Sequence, residues 1–313
     1  MSSSITLNLK PRGKPIPKLP QELSIDPDAL GSELYDSISQ QSRLSVDRLR
    51  VTKASDGTVI HNRKDATIHS TGLRNQSTIY VKDLGAQIAW RTVYMIEYFG
   101  PIFIHPLFLL HSLRPYIYRT SNPSPVTNLQ ILNCALVILH FVKRELETAL
   151  VHRFGRVTMP AMHVLRNSAH YWLLSGVNIA FWIYAPTSTI ASKTIESANP
   201  LLLYSGLALY VFGQLANLNT HIVLRNLRQP GTTERGIPSG FGFSWVTCPN
   251  YLFEVIAWIG MYLVSGLNWS VLLFILVACL PMITWAKQKE RKYRSEFGDK
   301  YKKKRFVMFP GII

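Results

Sequence analysis

The apolar residues of this chain are gathered in blocks and do not repeat with the period of a surface helix or strand. A bilayer core needs about 20 consecutive apolar residues per helix, and several windows approach that length. They lie at roughly 92–113, 128–142, 168–186, 200–220, 250–267 and 269–286. The pattern predicts a multi-pass α-helical membrane protein with about six transmembrane helices. Five or seven helices remain compatible with it, because the second window is short and Pro101 and Pro106 interrupt the first.

Residues 1–85 show a different pattern of short alternating segments and one amphipathic helix. "SITLNLKP" alternates apolar and polar residues as a strand does, and "PKLPQELSID" suits its hairpin partner. "DALGSELYDSISQQSRL" predicts the helix, and "RLRVTKA", "GTVIHN" and "STIYVKDLG" predict three further strands. This order is typical of a ubiquitin-like β-grasp domain. The sequence thus predicts two domains, a cytosolic one at 1–85 and a membrane-embedded one at 86–313.

Charge placement predicts the orientation of the membrane segments. Basic residues follow the second window, the fourth window and the last window, in "KRELETALVHRFGR", "RNLRQPGTTER" and "KQKERKYRSEFGDKYKKKR". The positive-inside rule then places these segments and both termini in the cytosol. "MSSSITLNLKPRGKPIPKLP" has no apolar core, so we expect no cleaved signal peptide. The net charge of +16 flanks membrane windows and is not collected on a soluble domain, so we expect no nucleic-acid partner.

Cysteine and histidine usage argues against a metal centre. The three cysteines have no paired spacing, which excludes a disulfide framework and a zinc knuckle. The nine histidines form no tight cluster along the sequence, so a di-iron oxidase is disfavoured. Hydrogen-bonded structural histidines are the better expectation, and no metal ligand is predicted.

Polar side chains inside membrane windows are costly and indicate function. Under the predicted topology they share one depth, the cytosolic leaflet. They are Glu97, Lys143, Glu147, Asn217, Asn219, His221, Arg225, Arg228, Asn250, Tyr251 and Glu254. Two independent patterns, hydropathy and charge, therefore point to one candidate site.

Most of these groups also have a structural explanation. Lys143 and Glu147 have the i,i+4 spacing of a helix-end ion pair. Arg225, Arg228 and Arg235 suit anchors for anionic lipid. Asn250 is a favoured helix cap, and Glu254 would follow in the first turns. Glu97 has no obvious partner near it in sequence.

Three segments carry a family resemblance. "NTHIVLRNLRQPGTTERGIPSGFGFSWVTCPNYLFEVIAWIG" and the tail "KQKERKYRSEFGDKYKKKRFVMFP" resemble the C-terminal part of the steroid 5α-reductase family. "CPNYLFE", "VKRELETALVHRF" and the N-terminal domain resemble its very-long-chain trans-2-enoyl-CoA reductase branch, an endoplasmic reticulum membrane enzyme. The resemblance covers nearly the whole chain, and the motifs are specific only in combination.

The resemblance implies the reaction and the residues that perform it. It implies NADPH-dependent reduction of a very-long-chain trans-2-enoyl-CoA, the last step of fatty-acid elongation, which also feeds sphingolipid synthesis. Other elongation enzymes are the partners it suggests. It assigns the catalytic role to Tyr251, with Glu97, Lys143 and Glu147 beside the reacting centre. It places the cofactor against Asn217, Arg228, Asn250, Glu254 and Tyr293.

Chemistry adds Arg225 and Arg235 to the cofactor candidates, because guanidinium groups suit phosphate oxygens. His221 is a further candidate, since it shares a helix face with Asn217. "GFGFSW" has Trp245 where a dinucleotide fingerprint needs its third glycine, so the cofactor site must lie between helices and loops. His221 departs from the acidic residue of the steroid branch. Retention in the endoplasmic reticulum rests on the resemblance alone, since "PGII" is not a dilysine signal.

Two alternatives remain open. The tail also resembles membrane methyltransferases of the isoprenylcysteine carboxyl type, which use S-adenosylmethionine. A non-catalytic membrane scaffold, recruiting partners through its ubiquitin-like domain, is the other. The scaffold leaves the shared depth of the polar groups unexplained, and the methyltransferase fits Tyr251 and Glu97 poorly.

Overall fold

The computed structural model describes residues 4–64, 66–154, 157–227, 236–302 and 306–313. The chain divides into two compact units. The first comprises Met1–Ala89 with Val157–His163, and the second comprises Trp90–Arg156 with Val164–Ile313. The first is a mixed α/β unit, and the second is helical.

The first unit is built on a five-stranded sheet with one helix. The strands are β1 (Ile5–Pro11), β2 (Glu22–Ile25), β3 (Leu49–Lys53), β4 (Val59–Ile60) and β5 (Thr78–Asp83), and the helix is α1 (Gly31–Ser42). Their order in the sheet is β2-β1-β5-β3-β4, with β1 and β5 parallel at its centre and the other pairs antiparallel. A short antiparallel pair, β6 (Gln87–Ala89) and β7 (Thr158–Pro160), completes the unit.

Alternation along the strands builds the core of this unit. Leu7 and Leu9 of β1 point to the side that α1 covers, where they meet Leu34 and Ile38 of that helix. Gly31 starts α1 because a Cβ there would lie 2.6 Å from the backbone carbonyl of His61. The core residues of this unit are apolar, with charges confined to the outside, as water requires.

The second unit is made of helices that follow the predicted windows closely. They are α2 (Trp90–Leu109), α3 (Arg114–Tyr118), α4 (Asn128–Leu146), α5 (Met162–Ser168), α6 (Ile179–Ile183), α7 (Pro200–Asn226), α8 (Pro249–Val264) and α9 (Trp269–Phe297). A π-helical turn, Glu147–Val151, continues α4, and a longer one, Ala169–Asn178, joins α5 to α6. Helix α2 runs through both of its prolines.

Three of the described helices are long and apolar enough to cross a bilayer, namely Trp90–Leu109, Pro200–Asn226 and the helix that starts at Trp269. Helix α8 has only 16 residues. The prediction of six spans therefore stays a prediction, and the coarser one, a helical membrane protein with a mixed sheet at its N-terminus, is confirmed.

Small residues let α7 and α8 pack backbone to backbone. A Cβ on Gly213 would lie 2.5 Å from the backbone nitrogen of Ala257, and one on Gly260 would lie 2.5 Å from the carbonyl of Gly206. Close approach of this kind is typical of helix pairs in membranes. The contacts hold the first half and middle of α7 against the middle and end of α8. They thereby fix the direction in which the polar ends of both helices continue.

Candidate functional site

A buried carboxylate, Glu147, is the centre of a charge network where α4 ends. Only 1% of the residue is exposed. Its Oε1 lies 2.8 Å from the Nζ of Lys143, and its Oε2 lies 2.5 Å from Nη1 of Arg144 and 3.1 Å from Nδ1 of His221. A buried charge persists only where it is paired. The predicted i,i+4 pair therefore forms, as part of a larger network that His221 of α7 joins.

Lys143 and Asn217 connect the network to α8. The Nζ of Lys143 donates to Oδ1 of Asn217 over 2.6 Å. The Nδ2 of Asn217 in turn donates to the backbone carbonyl of Asn250 over 2.8 Å. These two bonds link α4, α7 and α8, so the sequence-predicted residues of three helices meet at one place.

Asn250 differs from its expected role as a helix cap. Cys248 is the capping position of α8, and its side chain makes no capping bond. Asn250 lies inside the first turn, and within the described ranges its side-chain amide makes no hydrogen bond. An amide left unused in a half-buried position is available to a ligand.

Glu254 is held by partners that the sequence analysis missed. Its Oε1 lies 3.2 Å from Nε2 of His140, and Nδ1 of His140 lies 2.8 Å from Nε2 of Gln214. A side-chain amide nitrogen can only donate, so Nδ1 of this imidazole accepts and Nε2 carries the hydrogen toward Glu254. The chain Gln214, His140, Glu254 thus fixes the carboxylate beside the network.

Arg144 is the most connected cation of the site, and the sequence analysis also missed it. Besides pairing with Glu147, it donates from Nη2 to the hydroxyl of Tyr98 over 3.0 Å. Its guanidinium lies 5.0 Å from the centre of the same ring. Its charge also acts on Glu97 and Tyr251. Its position three residues before Glu147 was the available sequence signal.

Glu97 and Glu145 are two further carboxylates with unbonded oxygens, and the charge of Arg144 acts on the first of them. Glu97 is 1% exposed and lies against Asn167 and Tyr98, and its Oε2 has no hydrogen-bond partner among the residues described. Glu145 acts electrostatically on Glu97, and neither of its oxygens is bonded in the described part of the chain. Buried polar atoms without partners are uncommon. These oxygens therefore mark the place where a ligand would complete the site.

The hydroxyl of Tyr251 is also unbonded in the structure as described. The ring of Tyr251 is tilted against Trp285, with centroids 6.5 Å apart. Its phenol lies within electrostatic reach of Tyr94, Arg144 and Tyr293. A half-buried phenol with no protein partner among the described residues can donate a proton or a hydrogen bond to a ligand.

The remaining predicted cofactor residues lie at the margin or outside the described ranges. Tyr293 is buried, with Lys289 5.6 Å from its ring centre. The Nε of Arg225 donates to Asn226 over 3.2 Å. Arg228 and Arg235 fall outside the described residues.

Two histidines that are distant in sequence meet at Glu147. Nε2 of His152 lies 3.4 Å from Nδ1 of His221, and their ligand atoms and those of Glu147 lie within 4.8 Å of one another. Sequence spacing gave no hint of this group. The carboxylate of Glu147 is already paired with Lys143 and Arg144. These two positive charges would repel a divalent metal ion at this position. Burial, reinforced by the charge of Arg144, lowers the pKa of His152 to about 3, and this imidazole is neutral.

Comparisons with known proteins indicate the family to which the chain belongs. Residues 157–313 match the family model described as 3-oxo-5-alpha-steroid 4-dehydrogenase. A Schizosaccharomyces pombe protein given the provisional name of enoyl reductase is 40% identical over 99% of this chain and all of that protein. The very-long-chain enoyl-CoA reductase of Dictyostelium discoideum is 38% identical over 90% of this chain and 91% of its own.

A Caenorhabditis elegans protein, provisionally named as a very-long-chain enoyl-CoA reductase, is 34% identical over 90% of this chain and 92% of its own. The matched family segment includes α7 and α8, which carry Asn217, His221, Asn250, Tyr251 and Glu254. The family match and these extended similarities lead to one conclusion. The chain belongs to the 3-oxo-5-alpha-steroid 4-dehydrogenase family.

Proposed function

We propose that this protein reduces the trans-2 double bond of very-long-chain enoyl-CoA to the saturated acyl-CoA, with NADPH as reductant. The relatives named for this activity align over nine-tenths or more of the chain. The observation that carries the proposal is the unbonded hydroxyl of Tyr251, next in sequence to Asn250, whose carbonyl is linked through Asn217 and Lys143 to the buried Glu147. In the elongation cycle this reduction is the last step, and its product also serves sphingolipid synthesis.

The reaction makes three demands on the protein. NADPH supplies a hydride to Cβ of the enoyl group when it is bound. Negative charge then develops on the thioester oxygen and needs a preorganised donor. Finally Cα needs a proton from a positioned acid.

Tyr251 meets the demand for a donor to the thioester or for an acid to Cα. Burial opposes negative charge on the phenol, and the charge of Arg144 offsets part of that cost when the phenol donates. Lys143 and Glu147 act as positioning residues, because they hold Arg144, Asn217 and His221 in place. Glu97, with an unbonded oxygen, is the group that contacts the substrate beside its carbonyl.

The residues present fit a nicotinamide nucleotide. The side-chain amide of Asn250 is unused, and Glu254 is fixed by His140 with a fifth of its side chain exposed. Both suit the amide and hydroxyl groups of such a cofactor. Asn217 of α7 holds the Asn250 carbonyl. His221 and Arg225 of α7 and Tyr293 of α9 are the further cofactor candidates. Arg228 and Arg235 are the phosphate candidates, and a 2′-phosphate favours NADPH over NADH.

We extend the proposal to the architecture. The order β2-β1-β5-β3-β4 with α1 supports a ubiquitin-like β-grasp domain at 1–85. The helices at all six apolar windows support six spans through 86–313, with both termini and the site facing the cytosol. The membrane is that of the endoplasmic reticulum, where other elongation enzymes are the expected partners.

The test is NADPH oxidation by purified protein in detergent, with a long-chain trans-2-enoyl-CoA. Tyr251→Phe removes only the unbonded hydroxyl, so we expect turnover to fall by at least about a hundredfold, within the range of a lost general acid. Tyr262→Phe, in the same helix, is the matched control and should retain activity.

Equal turnover by wild type and Tyr251→Phe would show that Tyr251 contributes only to packing. Glu97 or Lys143 would then be the candidate donor. No oxidation by folded wild type would overturn the proposed function. Binding of S-adenosylmethionine would then favour the methyltransferase, and binding of neither cofactor would favour the scaffold.

A further inference from the structure

The outward face of the sheet in the first unit carries a group of cations at one end. The register pairs Lys10 with Tyr80 and Arg50 with Lys82. Alternation along β1, β3 and β5 turns Lys10, Arg50, Tyr80 and Lys82 to the side that α1 does not cover. Arg12 joins them, because its backbone nitrogen continues the pairing at Val81 and its guanidinium reaches Thr52. We call Lys10, Arg12, Arg50 and Lys82 the basic face.

No cation of the basic face has an acidic partner among the described residues. Arg12 makes only a long contact of 3.5 Å to the hydroxyl of Thr52. Two neighbouring basic residues do have acidic partners. Arg48, just before β3, pairs with Asp83, and Lys53 pairs with Asp56. Glu22 is an outward carboxylate on the sheet, and its register partner is Asn8, two residues before Lys10 on β1. No ion pair joins Glu22 to Lys10 in the described part of the chain.

The arrangement costs stability unless an anion is bound. Arg50 and Lys82 stand directly opposite each other in an antiparallel pair, and like charges in that register destabilise a sheet. The strand register fixes the backbone positions that carry these charges. A shallow cavity of about 350 Å³, lined by Arg12, Lys53 and Tyr80 among others, lies beside the face and accepts a group larger than an ion.

Chain continuity favours a membrane as the source of that anion. The connection from β5 to the first candidate membrane helix is short and consists of residues 84–89. Such a connection spans at most about 20 Å when fully extended. A bilayer surface is therefore within reach of this unit at all times, and clustered basic residues next to a membrane segment bind acidic head groups.

We propose that the basic face docks onto the head groups of anionic phospholipids in the membrane that holds the protein. The face gives the first unit a preferred side toward the bilayer, and Tyr80 and its cavity receive part of a head group. The interaction is electrostatic, so it weakens as ionic strength rises.

The test uses the full-length protein in nanodiscs of phosphatidylcholine, with or without phosphatidylserine. The rate at which a water-soluble amine reagent labels Lys10 is followed by mass spectrometry. We expect labelling to be about fivefold slower in the anionic discs. This is about the factor in binding that one basic residue contributes near an acidic surface. Added salt should remove the protection.

Lys18 provides the internal control, because it lies with Arg43 beside the end of α1, on the other side of the sheet. Its labelling should not change. In the variant Arg50→Gln/Lys82→Gln the protection of Lys10 should disappear. It should persist in the matched variant Lys18→Gln/Arg43→Gln, which removes the same number of cations.

Three results would overturn the proposal. Equal labelling of Lys10 in both discs would show that the face is not docked on lipid. Protection that survives Arg50→Gln/Lys82→Gln would place its cause elsewhere. Protection by soluble glycerophosphoserine in neutral discs would assign the face to a free anion. None of these results bears on enoyl-CoA reduction in detergent, so the two proposals fail separately.

Discussion

The two units bury opposite kinds of residue. In the sheet unit the core is apolar and the Arg48–Asp83 pair lies at the surface. In the helical unit Glu97, Glu147 and His140 are buried, while leucines such as Leu201 are exposed. The difference follows from the solvent around each unit. Burying leucine is favourable in water, whereas in a bilayer the lipid tails are as apolar as leucine. Buried polar groups add little to the stability of the helical unit. Their presence there therefore indicates a function.

The largest effect should come from breaking the buried network. Glu147→Gln keeps the shape but leaves Lys143 and Arg144 without the carboxylate they share. Removing one partner of a buried charge pair lowers the free energy of unfolding by about 4 kcal/mol. Thermal and denaturant unfolding in detergent would measure this, together with loss of NADPH oxidation.

Glu196→Gln, at an exposed position, is the control for that change and should leave the unfolding midpoint where it is. If Glu147→Gln unfolded at the wild-type midpoint, the network would be solvated and the contrast between the units would fail.

A smaller effect should separate the two kinds of leucine. Leu34 is fully buried beneath the sheet, and Leu201 at the start of α7 is 75% exposed. We expect Leu34→Ala to lower the free energy of unfolding of the first unit by about 3 kcal/mol, through lost burial and the cavity left behind. Leu201→Ala should cost less than about 0.5 kcal/mol. Hydrogen exchange of β1 and β5 amides in the full-length protein reports the first, and detergent unfolding reports the second.

Comparable losses for Leu34→Ala and Leu201→Ala would mean that Leu201 packs against protein. The outward leucines would then belong to an interface, and the bilayer-facing interpretation of α7 would be wrong.

The smallest effect concerns the surface ion pair. The hydrogen bond from Arg48 holds the pKa of Asp83 below its usual value. A depressed folded-state pKa stabilises the fold above the unfolded pKa near 3.9, and that stability is lost as pH falls through the folded value. Asp83→Asn should therefore cost under about 1 kcal/mol at neutral pH, and nothing at pH values below the folded pKa. Exchange protection of β3 and β5 across this range measures it.

High salt should shrink the same difference, because the pair is partly exposed. A salt-independent cost would point instead to the backbone bond from Gly85 to the Asp83 carboxylate. Asp83 would then stabilise the turn that follows β5, and its charge would contribute little.

Several features of the candidate site could be predicted from the sequence. The pair Lys143 and Glu147 followed from helical spacing, and Asn217 with His221 from their shared face on one helix. His105 behaves as the expected structural histidine, bonded to Tyr184 and to the carbonyl of Ser175. The roles of these residues in catalysis remain predictions.

Other features could not be predicted, because they depend on which helix faces meet. His140, Gln214 and Glu254 come from three helices, and each alone has the pattern of a polar residue tolerated among apolar ones. Arg144 was hidden by its position in a basic segment, which charge counting assigned to membrane orientation. The meeting of His152 with His221 joins a loop to a helix 69 residues away.

The sequence by itself determined the fold class, the apolar windows, the strands of the first unit and the polar positions that share one end of the membrane helices. Those properties are local, since they depend on periodicity of 2 or 3.6 residues and on runs of one polarity. Only the tertiary structure decided that Arg144 contacts both Glu147 and Tyr98, and that the hydroxyl of Tyr251 is left unbonded among the described residues. Contacts between helices are set by side-chain shape at the crossing, as where Gly213 and Gly260 let α7 meet α8, and no periodicity encodes that fit.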